Sequence, residues 1–545
     1  MVLSRSLRHV RRLCTFGAAC VTALVTASAL AAGASDLVPV AALSTTAATL
    51  PATAAASVKS VPTIGHYIVR EAPSKGLEMA PPALPDLKRF SLATVMAKLD
   101  TKPGGHVRYQ RLVETQELHE FTGRDGRVAE WAARQTSNPR VIVIAGGYMT
   151  PRDLLRALPP EHFQETSKGV YILRMPLIVA RGATLHIDDS VREFRMSEER
   201  AAFLVNDGKL FITNSALIGW RERENGPAKF RDGNQFRPFL LSWGGTETYI
   251  VGSKVNHLGY DKSKSYGVSI SQYSPGITKK MGRSHPTGWL IDSEFIDNWY
   301  AFYCYEAADI VVARNRYIDN IVYGIDPHDR STGLIIAENE VHGTKKKHGI
   351  ITSREVNDSW IFRNRVSNSG LSGIVLDRAS IRNVIADNVI FGNASDGITI
   401  YESGENLLWG NHAVGNKRHG IRVRNSQDLK LYNNSAVSNG LSGIYGHIKD
   451  LTGTDRDMRV DPFEAKVSLV VVGGRLTNNA RGPVSIDRPL SLELYKVELL
   501  APSSKDGLRI RGLLGEIQPQ LLDLLVRQQV PVVIEPAGKP KAEGT

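Results

Sequence analysis

Residues 397–424 read GITIYESGENLLWGNHAVGNKRHGIRVR and contain one full sequence repeat together with the start of the next. The segments that begin at Gly397 and Gly420 alternate apolar and polar residues, which is the period-two pattern of a β-strand. A glycine followed by isoleucine recurs six times at steps of 23 to 25 residues, at Gly324, Gly349, Gly373, Gly397, Gly420 and Gly443. Repeats of this length indicate a solenoid, because each repeat buries its apolar face only against its neighbours.

A second series, of asparagines, runs in phase with the glycines: Asn315, Asn339, Asn364, Asn388, Asn411 and Asn434. Stacked asparagines can form hydrogen-bonded ladders at the turns of a solenoid, so we assign them a structural role. A turn of about 24 residues has room for two or three short strands. The sequence therefore predicts an all-β fold, a right-handed parallel β-helix with N-terminal and C-terminal capping segments.

The N-terminus has the pattern of an export signal. Four arginines precede an apolar run, and Ala29-Leu30-Ala31 provides a small-residue cleavage site. We therefore predict a signal peptide over 1–31, and no membrane span after its cleavage. The run contains threonine, serine and small residues, which favours cleavage over a permanent membrane anchor.

Composition divides the rest of the chain into four segments. Residues 32–60 are rich in Ala, Thr, Ser and Val and predict a flexible lead-in. Residues 61–165 mix short apolar runs with helix-like pieces such as 150–158, and we expect an N-terminal cap region. The β-helix with its catalytic groove is predicted over 166–512, and a C-terminal helical cap with a disordered tail over 513–545.

Charge and cysteine content restrict the function further. The signal carries four arginines and no acidic residue, so its removal lowers the formal net charge from +12 to +8. A positive exported protein attracts polyanions, and export favours an acidic polysaccharide over nucleic acid. Only Cys304 remains after cleavage, so no internal disulfide can form, and we expect it to be a small core residue.

The period also predicts which side chains share an outer surface. Counted from each glycine, position +1 is always isoleucine and should point inward, so positions +2 and +4 point outward. Position +2 holds Asp326, Ile351, Val375, Thr399, Arg422 and Tyr445. Position +4 holds His328, Ser353, Asp377, Tyr401, Arg424 and His447. Position +5, at the strand end, holds Asp329, Arg354, Arg378, Glu402, Asn425 and Ile448.

The motif Asp326-Pro327-His328-Asp329 carries the chemistry that this surface suggests. An imidazole titrates near neutrality and flanking carboxylates can fix its tautomer, which suits a general base. Successive rungs lie about 4.8 Å apart, so His328 and Arg354 should be able to contact one small substrate group. The alternatives are a surface histidine in an acidic turn and an ion pair of Arg354 with Glu355.

The remaining candidates line the same face. We expect a groove along the solenoid axis with roughly one sugar subsite per rung, lined by Asp329, Asp377, Arg378, Tyr401, Arg422 and Arg424. Arg422 and Arg424 would hold remote carboxylates about 19 Å from His328. Local ion pairing is the alternative for Asp377 and Arg378.

The motif at 326–329, on an exported β-helix with an arginine one rung later, resembles the mannuronan C5-epimerases that act on the polymer in bacterial alginate biosynthesis. This resemblance implies that His328 accepts the C5 proton and that Arg354 neutralises the uronate carboxylate. It also implies a periplasmic protein, within an alginate export and modification complex, that acts on polymannuronate without calcium, another metal or a cofactor.

The residues leave the proton donor and the reaction class open. Tyr323, Tyr401 or a bound water could return the proton, while Asp326 and Asp329 would orient His328 and raise its basicity. A polyuronate lyase shares the first step and then expels the C4 oxygen. A glycoside hydrolase would need two or three facing carboxylates, and a polysaccharide-binding scaffold would need no chemistry.

Overall fold

The computed structural model describes residues 67–73, 79–135, 138–273, 282–499, 515 and 517–537. The predicted signal peptide, the predicted lead-in and the last eight residues lie outside this range, so these assignments stay predictions. Within the described residues the chain forms three long sheets of 15, 14 and 13 strands that are wound into a solenoid. The predicted parallel β-helix is confirmed.

Sheet A forms one wall of the solenoid. Its strands are named here in the order in which they neighbour one another, starting from the N-terminal end. They are β4 (Tyr148–Met149), β8 (Thr184–Ile187), β11 (Lys209–Thr213), β15 (Glu247–Val251), β18 (Thr287–Ile291), β21 (Val311–Ala313), β24 (Ile335–Ala337), β27 (Trp360–Phe362), β30 (Val384–Ala386), β33 (Leu407–Trp409), β36 (Leu429–Tyr432), β39 (Ser468–Val472), β41 (Ser491–Tyr495), β42 (Val532–Pro536) and β1 (Tyr67–Glu71). All pair in parallel except β42, which is antiparallel to both β41 and β1.

Sheet B contains the glycine-led strands of the sequence repeat. Its strands are β2 (His106–Arg111), β3 (Arg140–Ala145), β7 (Leu177–Val179), β10 (Leu204–Asn206), β14 (Leu240–Ser242), β17 (Val268–Ser271), β20 (Tyr300–Tyr305), β23 (Tyr323–His328), β26 (Ile350–Ser353), β29 (Ile374–Asp377), β32 (Ile398–Tyr401), β35 (Ile421–Arg424), β38 (Ile444–His447) and β40 (Val484–Ile486). Only β2 is antiparallel to its neighbour β3.

Sheet C completes each turn. Its strands are β5 (Phe163–Ser167), β6 (Val170–Leu173), β9 (Glu193–Ser197), β12 (Ala216–Arg221), β13 (Gly226–Pro227), β16 (Lys254–Asn256), β19 (Glu294–Ile296), β22 (Arg316–Ile318), β25 (Glu340–His342), β28 (Arg365–Ser367), β31 (Val389–Phe391), β34 (His412–Val414) and β37 (Ser435–Val437). β5 and β13 are antiparallel to β6 and β12.

Helices are short and lie near the two ends of the described chain. They are α1 (Leu92–Met96), α2 (Gln116–Thr122), α3 (Arg127–Ala133), α4 (Pro151–Ala157) and α5 (Gln518–Leu522), with 3-10 turns at Leu112–Glu114 and Glu222–Glu224 and a π-helical turn at Asp523–Arg527. The predicted helix near 150–158 is confirmed as α4, which Thr150 caps through a reciprocal bond with Asp153. No helix in the described ranges is long and apolar enough to cross a membrane.

The isoleucine at position +1 of every repeat points into the solenoid, as predicted. Ile325, Ile350, Ile374, Ile398, Ile421 and Ile444 are each at most 1% exposed. They pair with one another from strand to strand, so the outward positions are also in register. Burial of apolar surface contributes about 25 cal/mol per Å² to stability, so this column of isoleucines stabilises the solenoid.

The predicted asparagine ladder is present. Asn388 is fully buried, and its Oδ1 accepts bonds from the backbone N–H (2.9 Å) and the side-chain Nδ2 (3.0 Å) of Asn364. Its own Nδ2 donates to the Ile361 carbonyl and to Asn411 Oδ1, both at 2.9 Å. The side chain of Asn388 thus satisfies a backbone N–H and a backbone carbonyl of the preceding turn, which a solenoid corner would otherwise leave unpaired.

The segment before the first turn runs back along the outside of sheet A. Strand β1 pairs with β42 at the C-terminal end of the solenoid, whereas β2 belongs to its N-terminal end. Between them, Leu87, Phe90 and Val95 pack against the outer side chains of sheet A, and the Phe90 ring lies 4.8 Å from that of Trp289. The segment therefore covers an aromatic stripe that water would otherwise reach.

One insertion interrupts the repeat near its end. The asparagine that follows Asn439 in its ladder is Asn479, 40 residues later instead of about 23. The extra residues, 449–466, lie between β38 and β39, and we call them the insertion segment.

We predict that Asn388→Ala lowers the free energy of unfolding by about 3 kcal/mol, because it removes the partners of the buried Asn364 N–H, the Asn364 side-chain amide and the Ile361 carbonyl on the preceding turn. The measurement is the urea midpoint followed by circular dichroism. Asn234→Ala, at an exposed loop position, is the control and should change stability by less than about 0.5 kcal/mol. Equal midpoints for the two variants would contradict a stabilising ladder.

Candidate active site

The outward row of sheet B forms the floor of the candidate site. The register places Tyr305 opposite His328, His328 opposite Ser353, and Ser353 opposite Asp377. The row continues through Tyr401, Arg424 and His447. Position +4 therefore forms one line along the solenoid axis, as the sequence predicted.

Asp329 joins His328 and Arg354, the two groups that the sequence predicts to carry the chemistry. Its Oδ2 pairs with Nδ1 of His328, and its Oδ1 lies 3.3 Å from Nη1 of Arg354 on the next rung. Asp329 is 9% exposed, whereas His328 and Arg354 are 30% and 35% exposed. The structure therefore brings His328 and Arg354 together at one accessible corner, with a buried carboxylate behind them.

The backbone explains why Asp329 turns back towards the imidazole. Asp329 has φ of 30° and Arg354 has φ of 63°, both in the left-handed region that non-glycine residues rarely adopt. Position +5 is left-handed on the following rungs as well, at Arg378, Glu402 and Asn425. The strand ends there, and the bend directs these side chains back along the edge of the floor.

The electrostatics of the site follow from this contact. Burial lowers the pKa of His328, but the bond to Asp329 and the charges of Asp326 and Asp329 outweigh it, so the pKa is raised. Burial raises the pKa of Asp329, but the bond from His328 and the charge of Arg354 outweigh it, so the pKa is lowered. Asp329 thus stays ionised and makes His328 a stronger base.

Asp326 has a different environment from the one expected. It is 2% exposed, and its Oδ1 is buried without a hydrogen-bond partner among the described residues. Burial raises the pKa of Asp326 to about 7, with smaller opposing effects of His328 and Lys347. Asp326 acts on His328 through its charge, while the orienting contact belongs to Asp329.

Tyrosines surround Asp326 on the preceding rung. Tyr303 pairs in register with Asp326, and its ring lies 5.8 Å from the imidazole of His328. Tyr266 stacks on Tyr300 at 4.2 Å and contacts Tyr303 edge-on at 5.0 Å. The repeat does not predict this cluster, because strand β20 lacks the marker glycine, although three tyrosines between 300 and 305 are a visible signal in the sequence.

A lysine outside the repeats was also missed. Lys264 places its ammonium 4.3 Å from the ring centre of Tyr305, one rung before His328, and donates to the Gln272 carbonyl at 3.1 Å. Burial lowers the pKa of Lys264 to about 8. It belongs to a loop between strands, where no periodicity identifies it.

Tyr323 lies at the other end of the strand that carries His328. Five residues separate the two, which is about 16 Å along an extended strand. Its ring stacks on His348 at 6.1 Å and meets Tyr300 edge-on at 4.9 Å. Tyr401 is three rungs, or about 14 Å, from His328.

Two of the predicted substrate-binding arginines are engaged by acidic side chains. Arg424 donates to both carboxylate oxygens of Glu402, at 2.8 and 3.3 Å. Arg378 lies 3.5 Å from Asp377 and 3.4 Å from Asp461 of the insertion segment. Local pairing, the alternative considered for Asp377 and Arg378, is what the geometry gives.

The insertion segment closes over this ion-pair cluster. Arg456 reaches Glu402 at 3.0 Å and also pairs with Asp461. Burial raises the pKa of Asp377 to about 6 within the cluster. In the part of the chain that the structure describes, no group of three or more His, Cys, Asp or Glu side chains could hold a metal ion.

The fold and the site together define a parallel β-helix protein with a row of base, acid and cationic groups along one outer face. The chain is 57% identical over 472 residues to a mannuronan C5-epimerase of Pseudomonas aeruginosa, covering 87% of each chain. It is 54% identical over 473 residues to that of Pseudomonas putida, covering 87% of this chain and 91% of the relative. For the mannuronan C5-epimerase AlgG of Azotobacter vinelandii the identity is 54%, over 86% and 90% of the two chains.

Solved structures agree with these relatives. The crystal structure of a periplasmic alginate epimerase, AlgG, superposes with a TM-score of 0.77 at 54% identity, covering 78% of this chain and all of that one. A family model described as periplasmic copper-binding protein (NosD) matches residues 261–449, which include the regular repeats. The chain belongs to the family of mannuronan C5-epimerases.

We predict that Asp329→Asn lowers the pKa of His328. The carboxylate accepts the Nδ1 proton and its negative charge stabilises the imidazolium, so its removal favours the neutral ring. The pKa is measured by NMR titration of ¹³C-labelled histidine, with the resonance assigned through His328→Gln. Asp358→Asn, at an exposed ion pair with Arg382, is the matched control. An unchanged or higher pKa in Asp329→Asn would contradict this assignment.

Proposed function

We propose that this protein is a periplasmic epimerase that converts β-D-mannuronate residues of polymannuronate to α-L-guluronate by removing the C5 proton and returning one to the opposite face. The observation that carries the proposal is the shared contact of His328 and Arg354 with Asp329 on adjacent rungs. Removal of the C5 proton needs a base, and the negative charge that it places on the substrate carboxylate needs a cation. Both groups lie at this corner.

His328 is the proposed base. Because Nδ1 is bonded to Asp329, Nε2 is the ring nitrogen left to accept the C5 proton. The ionised carboxylate then stabilises the imidazolium that forms. Since the pKa of His328 is raised, its neutral form increases as the pH rises through that raised value, and kcat/KM should rise with it.

Arg354 is the proposed electrostatic partner of the substrate carboxylate. Loss of the C5 proton places a second negative charge on that group, which is prohibitive without a neighbouring cation. A guanidinium can stabilise this charge by donating two parallel hydrogen bonds to the carboxylate. Its Nη1 lies 3.3 Å from Asp329, whereas Arg424 donates to Glu402 at 2.8 Å, which supports the availability of Arg354 to a uronate.

We propose that water returns the proton from the open side of the groove. Tyr401, about 14 Å away, is too distant to reach C5 of a sugar at His328. Tyr323 begins the strand at its far end and packs against His348. The 30% exposure of His328 supports access of solvent to the reacting carbon.

The other reaction classes are less well supported. A hydrolase needs facing carboxylates, and the acids near His328 are a buried Asp326 and an Asp329 that is already paired. A lyase would release unsaturated ends that absorb ultraviolet light, and a non-catalytic scaffold would not exchange C5 protons. High identity to the epimerases over most of the chain favours epimerisation over all three.

We further propose that the protein works within an alginate export and modification complex of the cell envelope and protects the polymer in transit. The predicted signal peptide supports export, and the net charge of +8 after its removal supports retention of a polyanion.

The other residues that we propose to line the substrate groove are Asp329, Tyr401 and Arg422, together with Asp377, Arg378 and Arg424. The last three also form ion pairs within the protein.

We predict that His328→Gln keeps the fold and lowers the C5 exchange rate at least about 100-fold, because the general base is lost. Release of C5-bound tritium from polymannuronate measures the first step, and proton NMR measures guluronate at constant chain length. With wild type in D₂O, the guluronate should carry deuterium at C5. His412→Gln, exposed on sheet C, is the control. Retained exchange in His328→Gln would exclude this base.

We predict that Arg354→Met lowers kcat by about 100-fold and Arg354→Lys by less, because lysine keeps the charge but not the paired hydrogen bonds. The same tritium assay gives kcat and KM. Arg363→Met, at an exposed ion pair with Glu338, is the matched control and should behave as wild type. A change in KM alone would reduce Arg354 to a binding role.

A further inference from the structure

Beyond the reacting corner, three arginines lie on the outward positions of the next rungs, and two of them are neutralised. Arg424 is paired in two-point fashion with Glu402, and Arg378 lies between Asp377 and Asp461. Their side chains are each 13% exposed. A uronate carboxylate would have to displace an acid that is already in place.

Arg422 is held differently. Its Nε and Nη2 both face Nε2 of His447, at 3.2 and 3.1 Å. A guanidinium only donates, so His447 must accept, which requires a neutral imidazole with its proton on Nδ1. Asp396 Oδ2 lies 3.7 Å from Nη1, beyond hydrogen-bond distance, and accepts from the Thr399 hydroxyl, while Oδ1 accepts from the backbone N–H of His419.

The imidazole of His447 is itself fixed by neighbouring rings. Tyr445 stacks on His447 at 4.8 Å and 19°, and His419 also stacks on Tyr445, at 4.4 Å and 13°. Burial, together with Arg422 and Arg424, lowers the pKa of His447 to about 3. His447 is thus a rigid, neutral acceptor that orients Arg422 without cancelling its charge.

We propose that His447 is a positioning residue which holds Arg422 as a remote uronate-binding group, so that the enzyme favours chains long enough to reach it. This inference rests on the proposed function. Of the two arginines predicted to hold remote carboxylates, Arg422 and Arg424, it assigns that role to Arg422 alone. Arg422 lies three rungs, or about 14 Å, from Arg354 along the axis. A chain with one sugar per rung places the third sugar beyond the reacting one beside it.

The sideways positions of the two arginines fit this spacing. His328 and Ser353 belong to the position +4 line. Along its strand, Arg354 comes one residue after this line, whereas Arg422 comes two residues before it. The Cα atoms of the two arginines therefore lie on opposite sides of it. In an extended β-1,4-linked chain, successive sugars face opposite sides, so carboxylates three residues apart also lie on opposite sides.

The test compares kcat and KM of wild type, His447→Leu and His447→Gln on polymannuronate, by release of C5-bound tritium. We expect KM to rise about tenfold in His447→Leu with kcat unchanged, because one charge-assisted contact remote from the reacting carbon is lost. Glutamine can offer Oε1 in place of Nε2, so His447→Gln should recover most of the affinity. His412→Leu is the matched surface control.

Chain length separates a binding effect from a structural one. Trimannuronate cannot span from His328 to Arg422, so its kinetics should be the same in wild type and His447→Leu, whereas octamannuronate should show the full rise in KM. If His447 acts through Arg422, adding His447→Leu to Arg422→Gln should leave KM where Arg422→Gln alone puts it.

Three results would overturn the inference: an unchanged KM in His447→Leu, an equal loss for short and long chains, or a loss of kcat that glutamine does not restore. Each of these leaves the epimerase itself intact, since wild type still converts polymannuronate. Absence of conversion by wild type would instead remove the proposed function, and this inference with it.

Discussion

The site depends on the parallel register of sheet B. Strands β23 and β26 place His328 opposite Ser353, so the residues that follow them, Asp329 and Arg354, enter the same corner on adjacent rungs. Backbone bonds fix that corner, from Asp329 N–H to the Ser353 carbonyl and from Arg354 N–H to the Asp377 carbonyl, both 2.9 Å. A slip of one residue would turn the imidazole into the core, because side chains alternate along a strand.

Much of this was readable in the sequence because a repeat reports register directly. The glycine–isoleucine period predicted the inward isoleucines and the outward rows, and the asparagine series predicted the ladder that pairs the corners. The adjacency of His328 and Arg354 followed from counting positions on successive rungs. These features depend on spacing alone, and the same spacing is repeated on every turn.

Features outside the period could not be predicted in the same way. The left-handed backbone at Asp329 gives it the contact with His328 that Asp326 was equally well spaced to make. The insertion segment neutralises Arg378 through Asp461, a partner 83 residues away in the sequence. The tyrosines near Asp326 come from a rung without the marker glycine. Each depends on a local bend or a long-range contact, which periodicity does not encode.

Asp329 contacts the proposed base, His328, through Oδ2 and the proposed cation, Arg354, through Oδ1, and the two contacts are unequal. The bond to His328 would persist through the proposed proton transfer and strengthen as the imidazolium forms. Arg354 lies 3.3 Å from Asp329, whereas Arg424 donates to both carboxylate oxygens of Glu402, at 2.8 and 3.3 Å. An arriving uronate can therefore take over Arg354 without disturbing His328. The same carboxylate orients the proposed base, and it leaves the guanidinium available where the proposed reaction would develop negative charge.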